Sequence, residues 1–311
     1  MSAEKNGIKE KQELIRKLKK EKGAVILAHT YQSPEITEIA DIVGDSFALA
    51  SKCAALGEKT VIMCGVRFMA ESVKILAPEK EVFLPAPSAT CPMAEMISPE
   101  RVHEYKVQHP DSTVVAYINT TAALKAECDV CVTSSSAVKI VSQISSPEIL
   151  FIPDKNLGAY VQKVLPDKNI VLWDGFCPVH NGITAEDILA AKAKHPEACV
   201  AVHPECRPEV TALADMIGST AAIIKYAEAS EKPVIIGTER GVVDGFLSRE
   251  KGSEGKYIYL CPERLFCRNM KKTTLDTIIN TLEGKGGESV TVDEELRIKA
   301  KKSIDAMLRM G

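Results

Sequence analysis

The residue types best suited to chemistry gather in one short stretch near the middle of the chain, Trp173-Asp174-Gly175-Phe176-Cys177-Pro178-Val179-His180. An apolar run, Ile170 to Leu172, leads into it. Similar run-then-cysteine stretches occur once on each side: Val82 to Leu84 leading to Cys91, and Tyr257 to Leu260 leading to Cys267. The three cysteines are 86 and 90 residues apart. One thiolate from each of three similar segments suits an iron–sulfur cluster with one open iron. It suits equally a zinc ion that keeps a water as its fourth ligand. Either centre would polarise a bound oxygen as a Lewis acid.

The third cysteine has a competitor. Raw spacing favours Cys261, 84 residues beyond Cys177. The local frame favours Cys267, which lies seven residues after Leu260 as Cys91 lies seven after Leu84, and Cys267 is preferred. Cys128 and Cys131 form a C-x-x-C without a second pair. They are expected to be buried, with a reversible disulfide as the lesser reading. Cys53, Cys64 and Cys199 fall inside apolar patterns and read as small core residues.

The elements that must position these thiols repeat. Short apolar strands alternate with helices, which indicates parallel β/α units. The strands Ala24 to Ala28, Thr113 to Asn119 and Cys199 to Val202 open three passes of the same order. Asp41, Asp129 and Asp215 recur 88 and 86 residues apart, each followed five residues later by Ser46, Ser134 or Thr220. Periods this long imply a triplicated domain rather than a solenoid. The expected fold is α/β: three similar three-layer αβα sandwich domains with parallel sheets, related by a pseudo-threefold axis. Their bounds are 1–98, 99–183 and 184–287. A C-terminal helix within 288–311, with Leu296, Ala300, Ile304 and Leu308 on its apolar face, should pack on the first domain.

In such units the loops at the carboxyl ends of strands form the ligand crevice. There stand His29 and Tyr31, Tyr117 and Asn119, His203 and Glu205, and the three cysteines. His180 shares the Cys177 loop. His203-Pro204-Glu205 places an acid–base candidate and a carboxylate together. His103, His109 and His195 read as solvated. Ser46, Ser134 and Ser219-Thr220 stand just before helices, where capping is the commonest reason for a hydroxyl. Helix N-termini also bind anions, so three around one axis suit a substrate with several carboxylates or a phosphate.

The composition is that of an ordinary globular protein, with 45% hydrophobic and 26% charged residues. A formal net charge of −3, from 39 basic and 42 acidic residues, offers no field for nucleic acid or an acidic membrane. The N-terminus is charged and unlike a signal peptide, and no apolar run approaches a membrane span. A cytoplasmic location is expected, where ten cysteines point to burial, metal or catalysis rather than disulfides.

Ala28-His29-Thr30-Tyr31-Gln32, Gly44-Asp45-Ser46, Ala89-Thr90-Cys91-Pro92-Met93-Ala94 and Thr133-Ser134-Ser135 carry a wider resemblance. So do Gly175-Phe176-Cys177-Pro178-Val179-His180, His203-Pro204-Glu205-Cys206, Gly218-Ser219-Thr220 and Cys267-Arg268-Asn269-Met270-Lys271. Together, from about residue 10 onward, they resemble the quinolinate synthase family. That resemblance implies condensation of iminoaspartate with dihydroxyacetone phosphate to quinolinate, phosphate and water, in NAD biosynthesis. It implies one 4Fe-4S cluster on Cys91, Cys177 and Cys267, with one open iron. It implies a substrate pocket of His29, Ser46, Tyr117, Asn119, Ser134, His203, Glu205 and Thr220. Glu205, Tyr117 and His203 would move protons, Tyr31 would shift on closure, and His180 would lie near the cluster. An iminoaspartate-producing enzyme is the partner implied. Two rival readings share the cysteines: a hydro-lyase acting on another polycarboxylate, and a non-catalytic cluster or zinc protein that senses redox state.

Overall fold

The computed structural model describes residues 2–311, with side chains from Asn6 onward. One secondary-structure order occurs three times. The first pass is α1 (Ser2–Glu21), β1 (Ala24–His29), α2 (Pro34–Thr37), β2 (Ile42–Gly44), α3 (Ser46–Ala54), β3 (Thr60–Cys64), α4 (Arg67–Leu76) and β4 (Glu81–Leu84). The second is α5 (Pro99–Gln108), β5 (Ser112–Tyr117), α6 (Ala122–Glu127), β6 (Val130–Val132), α7 (Ala137–Ser142), β7 (Glu148–Ile152), α8 (Lys155–Val164) and β8 (Ile170–Leu172). The third is α9 (Ala185–Lys194), β9 (Cys199–Val202), α10 (Pro208–Thr211), β10 (Met216–Ile217), α11 (Thr220–Ala229), β11 (Val234–Gly237), α12 (Gly241–Arg249) and β12 (Tyr257–Tyr259). The tail adds α13 (Leu275–Leu282), β13 (Glu288–Val290) and α14 (Glu294–Met310).

Each pass makes its own parallel sheet in the same strand order: β2-β1-β3-β4, β6-β5-β7-β8 and β10-β9-β11-β12. The fold is therefore α/β with three helix-flanked parallel sheets. Helices on both faces explain why β1, Ala-Val-Ile-Leu-Ala-His, is buried at every position rather than alternating. Two compact units hold these sheets. The residues up to Cys91, with Cys267–Glu294, carry the first sheet; Pro92–Phe266, with Glu295–Gly311, carry the other two.

The recurring aspartate has a structural cause. Asp41, Asp129 and Asp215 each accept, through Oδ2, the backbone N–H of the residue fifteen positions earlier: Ile26, Val114 and Val200, at 2.8, 2.8 and 2.7 Å. Their own N–H groups return bonds to the carbonyls of the same three residues. Each also pairs with a lysine of the helix that opens its pass, Lys19, Lys106 or Lys192. These carboxylates fix the entry of the second strand of each sheet, satisfying backbone groups that the ladder leaves open. Asp129→Ala should cost about 1 kcal/mol, read as a lower urea midpoint with an unchanged slope. The half-exposed lysine pair adds little to that figure.

The tail departs from expectation. The first sheet takes it up through a strand, β13, antiparallel to β4 and anchored by Glu288 on Arg67. Helix α14 lies on elements of the second pass instead of the first domain. Ser303 Oγ donates to the Lys125 carbonyl at 3.0 Å, Cys131 Sγ approaches Ser303 Oγ at 3.3 Å, and Gln143 Nε2 donates to the Met310 carbonyl. Its buried face is Ala300, Ser303, Ile304 and Met307, while Leu308 is 52% exposed. A stripe spaced strictly by four drifts roughly 40° per step around a helix, so Leu296 and Leu308 cannot share one face. The small Ser303 permits the close approach that the apolar pattern did not mark.

Candidate active site

The three sheets present equivalent strand ends. Ala28 pairs with Cys64, Ala116 with Ile152, and Val202 with Gly237. The next residues are His29, Tyr117 and His203, and two further on stand Tyr31, Asn119 and Glu205. The first and third turns close alike. The Tyr31 N–H donates to His29 Nδ1 at 3.1 Å, and the Glu205 N–H to His203 Nδ1 at 3.3 Å. With its Nδ1 accepting, His29 carries its ring proton on Nε2.

The cysteine loops are equivalent in detail. The N–H of the first basic residue after the third strand of each pass donates to a carbonyl two residues before a cysteine. Arg67 bonds Ala89 at 2.9 Å, Lys155 bonds Gly175 at 2.8 Å, and Arg240 bonds Leu265 at 2.7 Å. The residues two positions on are Cys91, Cys177 and Cys267. Lys155 lies 5.0 Å from the ring of Phe176, and Arg240 5.8 Å from that of Phe266, each just before the cysteine. A 3-10 turn follows every loop: Pro92–Glu95, His180–Gly182 and Met270–Lys272. Cys261 sits instead two residues beyond β12 with φ +49°, its Sγ 3.4 Å from Arg264 Nη2.

Gly175 is fixed by a close approach. A Cβ there would stand 2.3 Å from the Pro153 carbonyl oxygen, a backbone atom that cannot step aside. Gly175→Ala should displace the Cys177 loop, read as a lower urea midpoint at unchanged far-UV circular dichroism.

Within the second unit one group of side chains is drawn together. His180 Nδ1 lies 2.6 Å from Glu205 Oε2 and 3.3 Å from Cys177 Sγ, and its Nε2 is 3.0 Å from Thr238 Oγ1. His203 Nδ1 is 3.5 Å from the same Glu205 oxygen, and the two imidazoles stack at 4.8 Å. His180, His203 and Glu205 are all buried. Burial alone raises the Glu205 carboxyl, but the fields of His203 and His180, with hydrogen bonds from His180 and Tyr117, bring it down to about 2. Its other oxygen, Oε1, is buried without a hydrogen-bond partner among the described residues.

Three supporting residues were not singled out from the sequence. Asp154 is fully buried and caps α8 through Oδ1, which accepts from Leu157 N, while Oδ2 accepts the Cys177 N–H at 3.0 Å. Burial, then the charge of Glu205, holds its carboxyl well above the usual range against these N–H donors. Asn156 donates to the Glu205 carbonyl at 3.0 Å. Thr238 orients His180. Asp154 was legible only as an N-cap before an apolar helix; nothing local marks its second oxygen as reaching a residue 23 positions away.

In the first unit His29 and Tyr31 meet edge to face, ring centres 4.4 Å apart. The turn after Cys267 is tied to their loop, Gln32 Nε2 donating to the Met270 carbonyl at 2.7 Å and Lys271 Nζ to that of Tyr31. Lys272 Nζ donates to the Ser88 carbonyl, three residues before Cys91. Asn119 lies just beyond β5. The hydroxyl residues differ from simple caps. Asp45 and Ser219 cap α3 and α11, so Ser46 and Thr220 are the first helical residues and serve no N-cap. Ser134 lies in the turn between β6 and α7.

The remaining cysteines have structural settings. No disulfide is formed among the described residues. Cys53, Cys64, Cys128, Cys131 and Cys206 are buried, and burial pushes each thiol up, away from the reactive thiolate. Cys199 is only half-buried, because it opens β9 at the sheet's rim. Cys91, Cys177 and Cys267 are also half-buried, and soft thiolates on matched loops fit an iron–sulfur cluster as donor chemistry. His103 and His109 are exposed, while His195 is half-buried at the end of α9.

No helix among the described residues is long and apolar enough to cross a membrane. A family model described as NadA, Quinolinate synthetase A protein, matches residues 13–309. A quinolinate synthase of Caldicellulosiruptor bescii is 50% identical over 298 residues, 96% of this chain and 97% of that protein. One of Clostridioides difficile is 48% identical over 297 residues, 95% of each chain. One of Methanoregula boonei is 45% identical over 300 residues, 96% of this chain and 98% of that protein. The chain that carries these three matched cysteine loops belongs to the quinolinate synthetase A family.

Proposed function

We propose that this chain is a quinolinate synthase, which condenses iminoaspartate with dihydroxyacetone phosphate and releases quinolinate, phosphate and water. Cys91, Cys177 and Cys267 would hold one 4Fe-4S cluster. When bound, such a cluster supplies a Lewis-acidic open iron for the dehydration steps. The observation that carries the reading is the buried Glu205–His180–His203 group beside Cys177, in a chain of this family.

The chain's own residues divide the remaining work. Glu205 moves protons through enolisation, ring closure and loss of water. Its Oε1, buried and unsatisfied, is the atom that accepts one, and Tyr117 and His203 exchange protons with it. Burial excludes bulk water from this exchange. His29 offers its Nε2 proton, and Asn119, Ser46, Ser134 and Thr220 bind the carboxylates and phosphate. Ser46 and Thr220 suit that work because their neighbours Asp45 and Ser219 do the capping. Tyr31 closes over the bound substrates. An enzyme that oxidises aspartate must supply the imine.

The experiment that tests this reading follows phosphate and quinolinate together in anaerobic protein. Equal release of both is expected when the two substrates are present. Turnover of an aconitate-like acid without triose phosphate would point to the rival hydro-lyase.

A further inference from the structure

We infer that Cys177, His180 and Glu205 form a second, mononuclear site for a zinc-class divalent cation, filled when the iron–sulfur cluster is absent. The ligand atoms Sγ, Nδ1 and a carboxylate oxygen all lie within 4.8 Å of one another. Cysteine and histidine three residues apart are a usual zinc spacing, and a thiolate, an imidazole and a carboxylate with an open fourth position form a zinc donor set.

The required adjustment is on the order of 1 Å, because the thiolate and carboxylate, the widest pair within the 4.8 Å spread, must close toward the spacing of neighbouring ligands. Tetrahedral zinc, with bonds of roughly 2.0–2.3 Å, sets neighbouring ligand atoms roughly 3.4–3.6 Å apart. Sγ and Nδ1 already stand at 3.3 Å. Nδ1 and Glu205 Oε2, at 2.6 Å, must open by roughly 0.8 Å as the cation replaces the proton between them.

The supports that metal ligands need are in place. His180 Nε2 is 3.0 Å from Thr238 Oγ1, the outer hydrogen bond that sets a ligating ring's orientation. Asp154 Oδ2 holds the Cys177 N–H, and Asn156 holds the Glu205 carbonyl. An independent sign is Glu205 Oε1, on a side chain 4% exposed, which has no partner among the described residues. A bound cation, or the water on it, would satisfy that oxygen.

The inference concerns side chains of one compact unit and stands apart from the reading as quinolinate synthase. Its consequence for activity does rest on that reading: the cation would occupy Cys177, needed by the cluster, and Glu205, needed for proton transfer. Zinc and cluster would then exclude each other.

The test uses cobalt(II) as a visible stand-in for zinc, added anaerobically to the full iron-free chain. A second sample carries Cys91→Ser and Cys267→Ser, so that a three-cysteine cluster site cannot contribute. Both should bind one equivalent, with a thiolate-to-cobalt charge-transfer band that zinc displaces. Cys177→Ser should abolish the band, His180→Ala should weaken binding, and Thr238→Val, which removes the outer hydrogen bond to His180 Nε2 but no ligand atom, should weaken it about 10–100-fold. Absence of the band in the wild-type chain, or a band indifferent to His180→Ala, overturns the inference. Should the double variant fail to fold, the wild-type titration with the His180 and Thr238 variants decides alone. Dependence of turnover on iron is measured separately, so failure here leaves the proposed function standing.

Discussion

Replacing Glu205 by Gln should lower kcat by about 10²–10⁴-fold, the range for a lost general acid–base group, while the anaerobic protein keeps its iron and its visible spectrum. Gln matches the volume and can still accept from the donors that face Oε2, so packing should survive. It cannot carry the proton. His203 and His180 hold Glu205 as a carboxylate despite burial, and Tyr117 donates to it. That state suits a group that first accepts a proton and then returns it. Near-normal turnover in the variant would remove Glu205 from the mechanism, and loss of iron would recast it as structural.

Cys267→Ser should abolish both cluster absorbance and turnover, whereas Cys261→Ser should leave both near wild type. The two cysteines are six residues apart in sequence, so the pair separates loop geometry from simple proximity along the chain. Cys267 shares with Cys91 and Cys177 a clamp in which the N–H of a distant basic residue, Arg240, Arg67 or Lys155, holds the carbonyl two residues upstream of the cysteine. Cys261 lies instead beside the Arg264–Asp187 ion pair. Serine is close in size but a poor ligand for iron in a sulfur-rich centre. Iron analysis and absorbance after anaerobic purification read the outcome. An iron-free Cys261→Ser protein would overturn the choice of the third ligand.

Much of this arrangement was legible in the residues, because it repeats. Three runs of apolar residues, each followed by a cysteine and in two cases after seven positions, announce strand, loop and thiol. The repeated aspartate was equally visible, but its meaning was not. Asp41, Asp129 and Asp215 bond backbone groups fifteen residues away, and side-chain type alone does not tell such a brace from a catalytic carboxylate. The tail misled for a different reason. A spacing of four imitates an apolar stripe over two turns and then rotates away, and the small buried Ser303 carried no hydrophobic signal. Strand β13, only three residues long, was likewise hidden behind Gly284 to Gly287. Asp154 and Thr238 act through loops folded back from distant positions, which local pattern cannot reach.

The most direct measurement pairs product with metal in one anaerobic preparation of the wild-type chain. Iron, sulfide and zinc are quantified, and quinolinate is assayed from iminoaspartate and dihydroxyacetone phosphate. The expected result is a brown protein holding one four-iron cluster, with turnover that scales with iron content and falls when zinc is loaded instead. Full turnover from colourless, iron-free protein would contradict it.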